Sequence, residues 1–271
     1  MRIFFFITFL VCSQLYSQTN EYLVFIKDKT LKKNWKKENL LSQRAINKNP
    51  ERTLDFYDLP VSINYLNQMA EKGEIKNVSR WLNAVHYSSF LSQEEIQSLF
   101  PFITKIIPVN YRNSKESPLL NFSKSTALGD TNSYGKTFEQ LEITKTVSCL
   151  HDKGNKGENT LIAVLDAGFP KMDSMLAFQN LRLENRIIDT RDFEDNNPFV
   201  YHKSSHGTYV STILCAELDS IFVGSAPKSD YAFYTTEITR FERNIEEFNL
   251  VLGLERADSI GADICSISLG Y

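Results

Sequence analysis

The chain has no apolar run long enough to span a membrane. Its leading run, Ile3 to Cys12, is ten residues, against the roughly twenty that a spanning helix needs. It has no charge bias either: 30 Lys and Arg face 33 Asp and Glu, and a net charge of -3 makes no field that would gather nucleic acid or anionic lipid. Internal repeats and low-complexity stretches are absent, which argues against a solenoid or propeller. Cysteine is scarce. Beyond Cys12 only Cys149, Cys215 and Cys265 remain, without the paired spacing of a zinc site or a disulfide framework. They are expected to be buried thiols packed as small hydrophobes, with one disulfide left open.

What is present suits a folded protein, because 42% hydrophobic residues over 271 positions supply one large core or two smaller ones. Residues 1–17, MRIFFFITFLVCSQLYS, carry a basic start at Arg2, a short apolar run and the small Ser17, the pattern of a secretory signal peptide. A secreted, periplasmic or cell-surface protein without a membrane span is therefore expected. Cys12 as a lipoprotein acceptor is disfavoured by the bulky Val11 before it.

Residues 18–109 alternate strand and helix signals. Tyr22 to Lys27 (YLVFIK), Val78 to Tyr87 and Ile103 to Val109 read as strands, and Ser42 to Asn47 and Ile63 to Lys72 as helices. Ser92 and Glu95 form a capping box ahead of Ile96 and Leu99. The order predicts a small α+β domain with helices on one face of an antiparallel sheet. Residues 110–135 turn polar, with Pro118, Gly129 and Gly135 as breakers, and read as a linker. From 136 to 271 the pattern becomes α/β. Phe138 to Leu150, His206 to Ala216 and Ile245 to Ser259 are helical; Leu161 to Leu165 (LIAVL), Ile221 to Val223, Tyr231 to Tyr234 and Ile264 to Ser268 are strands. LIAVL is continuously apolar, as a strand covered on both faces must be, and the alternation predicts part of a doubly wound parallel sheet.

In such sheets reactive groups collect where the strands end. Asp166 stands there, directly after LIAVL and before Ala167 and Gly168. His206 opens the segment HGTYVSTILCAE at a helix start, where Gly207 permits close backbone approach and Thr208 is placed to cap. Alone, either residue has a plain reading: an Asp after a buried strand occurs in many α/β proteins, and a His at a helix start is commonly a cap. His86, His151 and His202 lack ligand-like neighbours in the sequence. Asp189, Asp192, Glu194 and Asp195 lack calcium-loop spacing and read as a solvated loop; calcium is possible without support, and no metal or other cofactor is assigned. Glu246 and Glu247 suit a helix start, where the dipole favours acids.

Four ordered segments resemble the subtilisin family of serine proteases: IAVLDAGF around Asp166, HGTYV around His206, GSAPKSDYAFY at Gly224 to Tyr234, and DICSISLG at Asp263 to Gly270. Upstream, YLVFIKDK, LSQRAINKN, LPVS and SRWLNAV resemble the propeptide of a secreted bacterial branch, a small domain that assists folding and blocks the cleft. The resemblance implies a subtilisin-like peptidase domain whose Asp166 and His206 serve a Ser-His-Asp triad, acting on peptide or protein substrates. It implies that Ser268, Leu269 and Gly270 pair with substrate backbone by strand addition. It also implies that the propeptide-like domain packs on the peptidase domain. Ala167, Ser211 and Thr212 depart from the family pattern, which usually has Ser or Thr, then Ala and Gly, at those places.

The family's Gly-Thr-Ser nucleophile segment does not occur in residues 1–271, nor does its oxyanion-stabilising Asn. Gly224-Ser225-Ala226-Pro227 coincides with a structural turn of the family instead. The chain is therefore expected to be a truncated product or gene fragment, inactive as a peptidase by itself. A competing expectation is a propeptide-like binding or inhibitory protein acting on an intact protease. A third, a hydrolase using Asp166 with a metal, lacks ligands in the sequence.

Overall fold

The computed structural model describes residues 19–29, 35–110, 142–238 and 243–270. The signal-peptide reading of residues 1–17, nearly all of the linker reading and the first residues of the helix read from Phe138 lie outside them.

The N-terminal unit is built from β1 (Asn20–Ile26), α1 (Gln43–Lys48), α2 (Ile63–Ala70), β2 (Glu74–Ser79), β3 (Ala84–Ser89), α3 (Gln93–Leu99) and β4 (Ile103–Pro108). The strands form one antiparallel sheet in the order β2-β3-β1-β4. The single strand read over Val78 to Tyr87 is in fact a hairpin. Asn83 adopts a left-handed φ of 48°, which a short polar side chain tolerates, and turns the chain between β2 and β3. The capping box forms as read: Ser92 Oγ accepts the Glu95 N–H and Glu95 accepts the Ser92 N–H.

β1 shows why this sheet is apolar on both sides. Tyr22, Val24 and Ile26 face α2 and α3, packing with Met69, Val85, Tyr87 and Ile96. Leu23, from the opposite face, joins a second core with Ala84, Leu165, Phe248 and Leu252. The strand is therefore buried on both faces, each such aliphatic side chain contributing roughly 1.5–3 kcal/mol.

The second unit begins with α4 (Glu142–Asp152) and continues through β5 (Leu161–Asp166), the short α5 (Gln179–Leu183), β6 (Ile187–Asp192), α6 (His206–Cys215), the two-residue strands β7 (Glu217–Leu218) and β8 (Phe222–Val223), β9 (Asp230–Thr235), α7 (Ile245–Ile260) and β10 (Ile264–Ile267). Its main sheet is parallel, in the order β10-β5-β9-β6. Two readings are corrected. The stretch Ile221 to Val223 does not enter this sheet but closes a small antiparallel hairpin with β7. Asp189 and Asp192 lie on β6 rather than in a solvated loop, and Asp192 is fully buried. Of the three cysteines among the described residues only Cys215 is buried as expected; Cys149 and Cys265 are exposed, and all three are free thiols.

The N-terminal sheet packs on α7, and polar contacts secure the joint. Glu255 of α7 accepts the N–H groups of Arg80 and Trp81 at 3.1 and 3.2 Å and the Ser79 hydroxyl. Arg52 pairs with Asp258 at 2.7 Å. The end of α7 is completed by α1. The carbonyls of Ser259, Ile260, Gly261 and Ala262, which an isolated helix end would leave unpaired, accept bonds from Ser42 N–H, Ser42 Oγ, Arg44 and Lys48. Gly261, at φ 80°, closes the helix, and a Cβ there would lie 2.7 Å from the Ala45 nitrogen. No helix among the described residues is long and apolar enough to cross a membrane.

Candidate active site

Asp166 is the last residue of β5 and is completely buried. The Ala167 N–H donates to its Oδ1 at 2.7 Å, a turn that folds the carboxylate back over the strand end. His206 is the first residue of α6, and its Nδ1 donates to both Asp166 oxygens, at 2.8 and 3.0 Å. The imidazole is about half exposed, 49% at the side chain, so the pair has one dry end and one wet end. Burial pushes the Asp166 carboxyl above the usual carboxylate range, while the Ala167 N–H and His206 pull it back. With Nδ1 so engaged, the tautomer is fixed and Nε2 is left as the nitrogen that can exchange a proton.

Two glycines make the approach possible. A Cβ on Gly207 would collide with the Gly168 carbonyl and lie 2.9 Å from the Asp166 Cβ. Gly168 has a φ of 133°, and a Cβ there would strike the His202 carbonyl. Thr208 does not cap the helix as expected. Its hydroxyl donates to the Pro170 carbonyl at 2.9 Å, tying the start of α6 to the segment that follows Asp166. Further backbone bonds join the same segments, from Phe169 N–H to Val200 and from Ser204 N–H to Ala167. Of the family departures, Ser211 is fully buried with no hydrogen-bond partner for its hydroxyl among the described residues, whereas the Thr212 hydroxyl returns to the Thr208 carbonyl.

Ser268, Leu269 and Gly270 follow β10 at the same edge of the parallel sheet as Asp166, just past the Ile267–Leu165 register pair. Ser268 and Gly270 are exposed and Leu269 is half-buried. Of the other histidines, His151 is buried and its Nε2 donates to the Ser225 carbonyl at 3.0 Å, and His86 faces Glu21 at 3.6 Å.

The acidic segment holds what sequence reading missed. Asp192 and His202 are in contact, Nε2 to Oδ2 at 3.0 Å, and ligand atoms of Asp192, Asp195 and His202 lie within 4.8 Å of one another. The cation among these carboxylates is Lys203, whose ammonium meets Asp192, Glu194 and Asp195 at 2.7, 2.6 and 3.0 Å. Only folding brings residue 203 back to 192, so no local pattern announces the cluster.

Comparison with known proteins defines the class first. Residues 157–271 match the model of the subtilase family, and residues 21–121 match that of the peptidase S8 propeptide domain of Bacteroidota. The chain belongs to the subtilase family, with a propeptide domain ahead of its subtilisin-like part. It is 32% identical over 122 residues to a subtilisin of Bacillus pumilus, an alignment that covers 45% of this chain and 41% of that protein. Among solved structures it resembles the epidermin leader peptide processing serine protease of Staphylococcus aureus, with a TM-score of 0.51 and 16% identity over 93% of this chain and 50% of that one. It also resembles fervidolysin of Fervidobacterium pennivorans, a keratinolytic enzyme related to subtilisin, with a TM-score of 0.48 and 14% identity over 91% of this chain and 35% of that one. The chain thus spans half or less of the length of each of these relatives.

Proposed function

We propose that residues 18–109 and 136–271 are the propeptide and the first half of a secreted serine endopeptidase, joined by the linker at 110–135, in which His206 is the general base and Asp166 its orienting carboxylate. The observation that carries this reading is the two-oxygen grip of a fully buried Asp166 on His206 Nδ1. In a Ser-His-Asp relay the Asp holds the imidazole in the tautomer that accepts the serine proton at Nε2, then stabilises the imidazolium. Asp166 has that orientation, its backbone is pinned by the Thr236 N–H at 3.0 Å, and its carboxylate is away from water, where electrostatic stabilisation is strongest. Ser268, Leu269 and Gly270 are assigned to substrate backbone. Peptide or protein is the substrate class.

The 271 residues hold no Gly-Thr-Ser segment, so the chain by itself is expected to hydrolyse no peptide and to resist a fluorophosphonate that labels activated serines. The decisive experiment is nitrogen-15 NMR of the histidine rings. A protonated Nδ1 on His206 that Asp166→Asn abolishes supports the assignment; a ring indifferent to that substitution overturns it.

A further inference from the structure

Two carboxylates at the carboxyl edge of the parallel sheet are fully buried, Asp166 at the end of β5 and Asp192 at the end of β6. Both flank the same residue of β9: Thr235 is in register with Asp166 on one side and with Asp192 on the other. Strand spacing sets them roughly 10 Å apart. One loop serves both. Asp166 takes His206, and Asp192 takes Lys203 and His202, three and four residues earlier.

Asp192 has no spare capacity. Its Oδ1 accepts the N–H groups of Glu194 and Asp195, each at 2.9 Å, and its Oδ2 receives His202 and Lys203. The turn that follows is thereby curled so that Glu194 and Asp195 also reach the Lys203 ammonium. Lys203 is only 13% exposed at the side chain, and three carboxylates around one ammonium raise its hold on the proton against the burial that would weaken it. Its backbone is as constrained as its side chain: φ is 66°, a left-handed conformation that a lysine does not adopt freely, and it bridges to Gly168, two residues past Asp166. Ser204, next in the chain, donates its N–H to Ala167 and accepts the His206 N–H on its hydroxyl at 3.2 Å.

We propose that Lys203 is the positioning residue of the His206 site, its ammonium, locked by Asp192, Glu194 and Asp195, holding the loop that delivers the imidazole to Asp166. A buried ammonium under three carboxylates is costly to displace, whereas the left-handed turn it imposes would relax once the anchor is gone. The four residues from Lys203 to His206 then lose the register that brings Nδ1 to the carboxylate. This inference rests on the reading of Asp166 and His206 as orienter and base.

The test uses the whole chain and follows the His206 Nδ1 proton by NMR, with the buried His151 Nε2 proton, bonded to Ser225, as internal reference. Lys203→Met should speed solvent exchange of the His206 proton by at least about tenfold, because breaking a buried ion-pair cluster leaves the loop without its anchor. The His151 proton should be unchanged, and Lys203→Arg should restore slow exchange at His206. An unchanged His206 proton in Lys203→Met, or equal acceleration at His151, overturns the proposal. Should Lys203→Met fail to fold, Asp195→Asn removes one of the three carboxylates, and a smaller acceleration at His206 alone is expected; none would again overturn it. Failure of the underlying reading has a different signature, a His206 proton in the unaltered chain that Asp166→Asn does not remove.

Discussion

Gly207 rests against Gly168 so closely that a single methyl group on it would meet the Gly168 carbonyl and stand 2.9 Å from the Asp166 Cβ. The first turn of α6 and the turn after β5 are thus in backbone contact, and that contact sets the distance at which imidazole meets carboxylate.

Gly207→Ala should therefore act on stability and site together. Neither neighbouring group is a flexible side-chain end that can give way, so the helix start must move. Overpacking of this kind costs about 1–3 kcal/mol. A fall of that size in a urea titration is expected, together with loss of the Asp166-bonded proton of His206. Retention of both would show that α6 can shift without disturbing the pair.

Glu255 supplies the second prediction. Burial pushes its carboxyl above the usual range, and the Ser79 hydroxyl and the Trp81 and Arg80 N–H groups draw it back. Glu255→Ala strands these donors in a buried joint and should cost on the order of 2–4 kcal/mol. Glu255→Gln keeps an acceptor oxygen and should cost about 1 kcal/mol. Limited proteolysis will show whether the loss is local, since a loosened joint exposes the β2–β3 turn before the rest.

Acid sensitivity follows from Glu21 and Asp263. Contacts with His86 and then Lys76, working against burial, lower the Glu21 carboxyl from 4.5 to about 2. For Asp263 burial opposes ionisation but is outweighed by the Leu161 N–H, Lys48 and Arg44, which bring it from 3.8 to about 2. A carboxyl whose folded pKa is depressed contributes stability above its unfolded value and loses it as pH falls through the folded one. The thermal midpoint should thus decline as pH drops from about 4.5 towards 2. Glu21→Gln and Asp263→Asn should each flatten part of that decline, and a slope unchanged in the double variant would refute the assignment.

A fourth prediction concerns catalysis. In an active enzyme that contains this segment and a serine nucleophile, Asp166→Asn should lower kcat by about 10⁴ with little change in KM, as loss of the orienting carboxylate does in triads generally. A loss below tenfold would remove Asp166 from the relay.

The parts legible in the sequence are those fixed by neighbours in the chain. LIAVL became β5 because a strand covered on both faces must be apolar throughout, and Ser92 with Glu95 marked α3 because a capping box is closed within four residues. The order of Asp166 and His206 could be read in the same way, each beside the glycine that its approach requires. β6 was not legible. Its sequence, IIDTRD, carries three charged residues in six, and Asp189 and Asp192 are tolerable in a strand only because Arg256 and Lys203 come from elsewhere to meet them. The β2–β3 hairpin was obscured because Arg80 to Asn83 contains Trp81 and Leu82, which imitate a continuing strand. Thr208 suited the start of α6 by type, but the nearby Pro170 carbonyl claimed its hydroxyl.

The end of α7 carries a last consequence. The Ala257 and Asp258 carbonyls are capped locally by the Ala262 and Gly261 N–H groups, but those of Ser259, Ile260, Gly261 and Ala262 are met by donors of the N-terminal unit, so the exit from α7 is complete only while that unit is in place. A helix end deprived of its donors frays inwards. β10 starts four residues after α7 ends, and the slack would pass along it into Ser268, Leu269 and Gly270. The N-terminal unit would thus act as a tensioner on β10, applied at the start of that strand and at a distance from the edge where the Asp166–His206 pair lies.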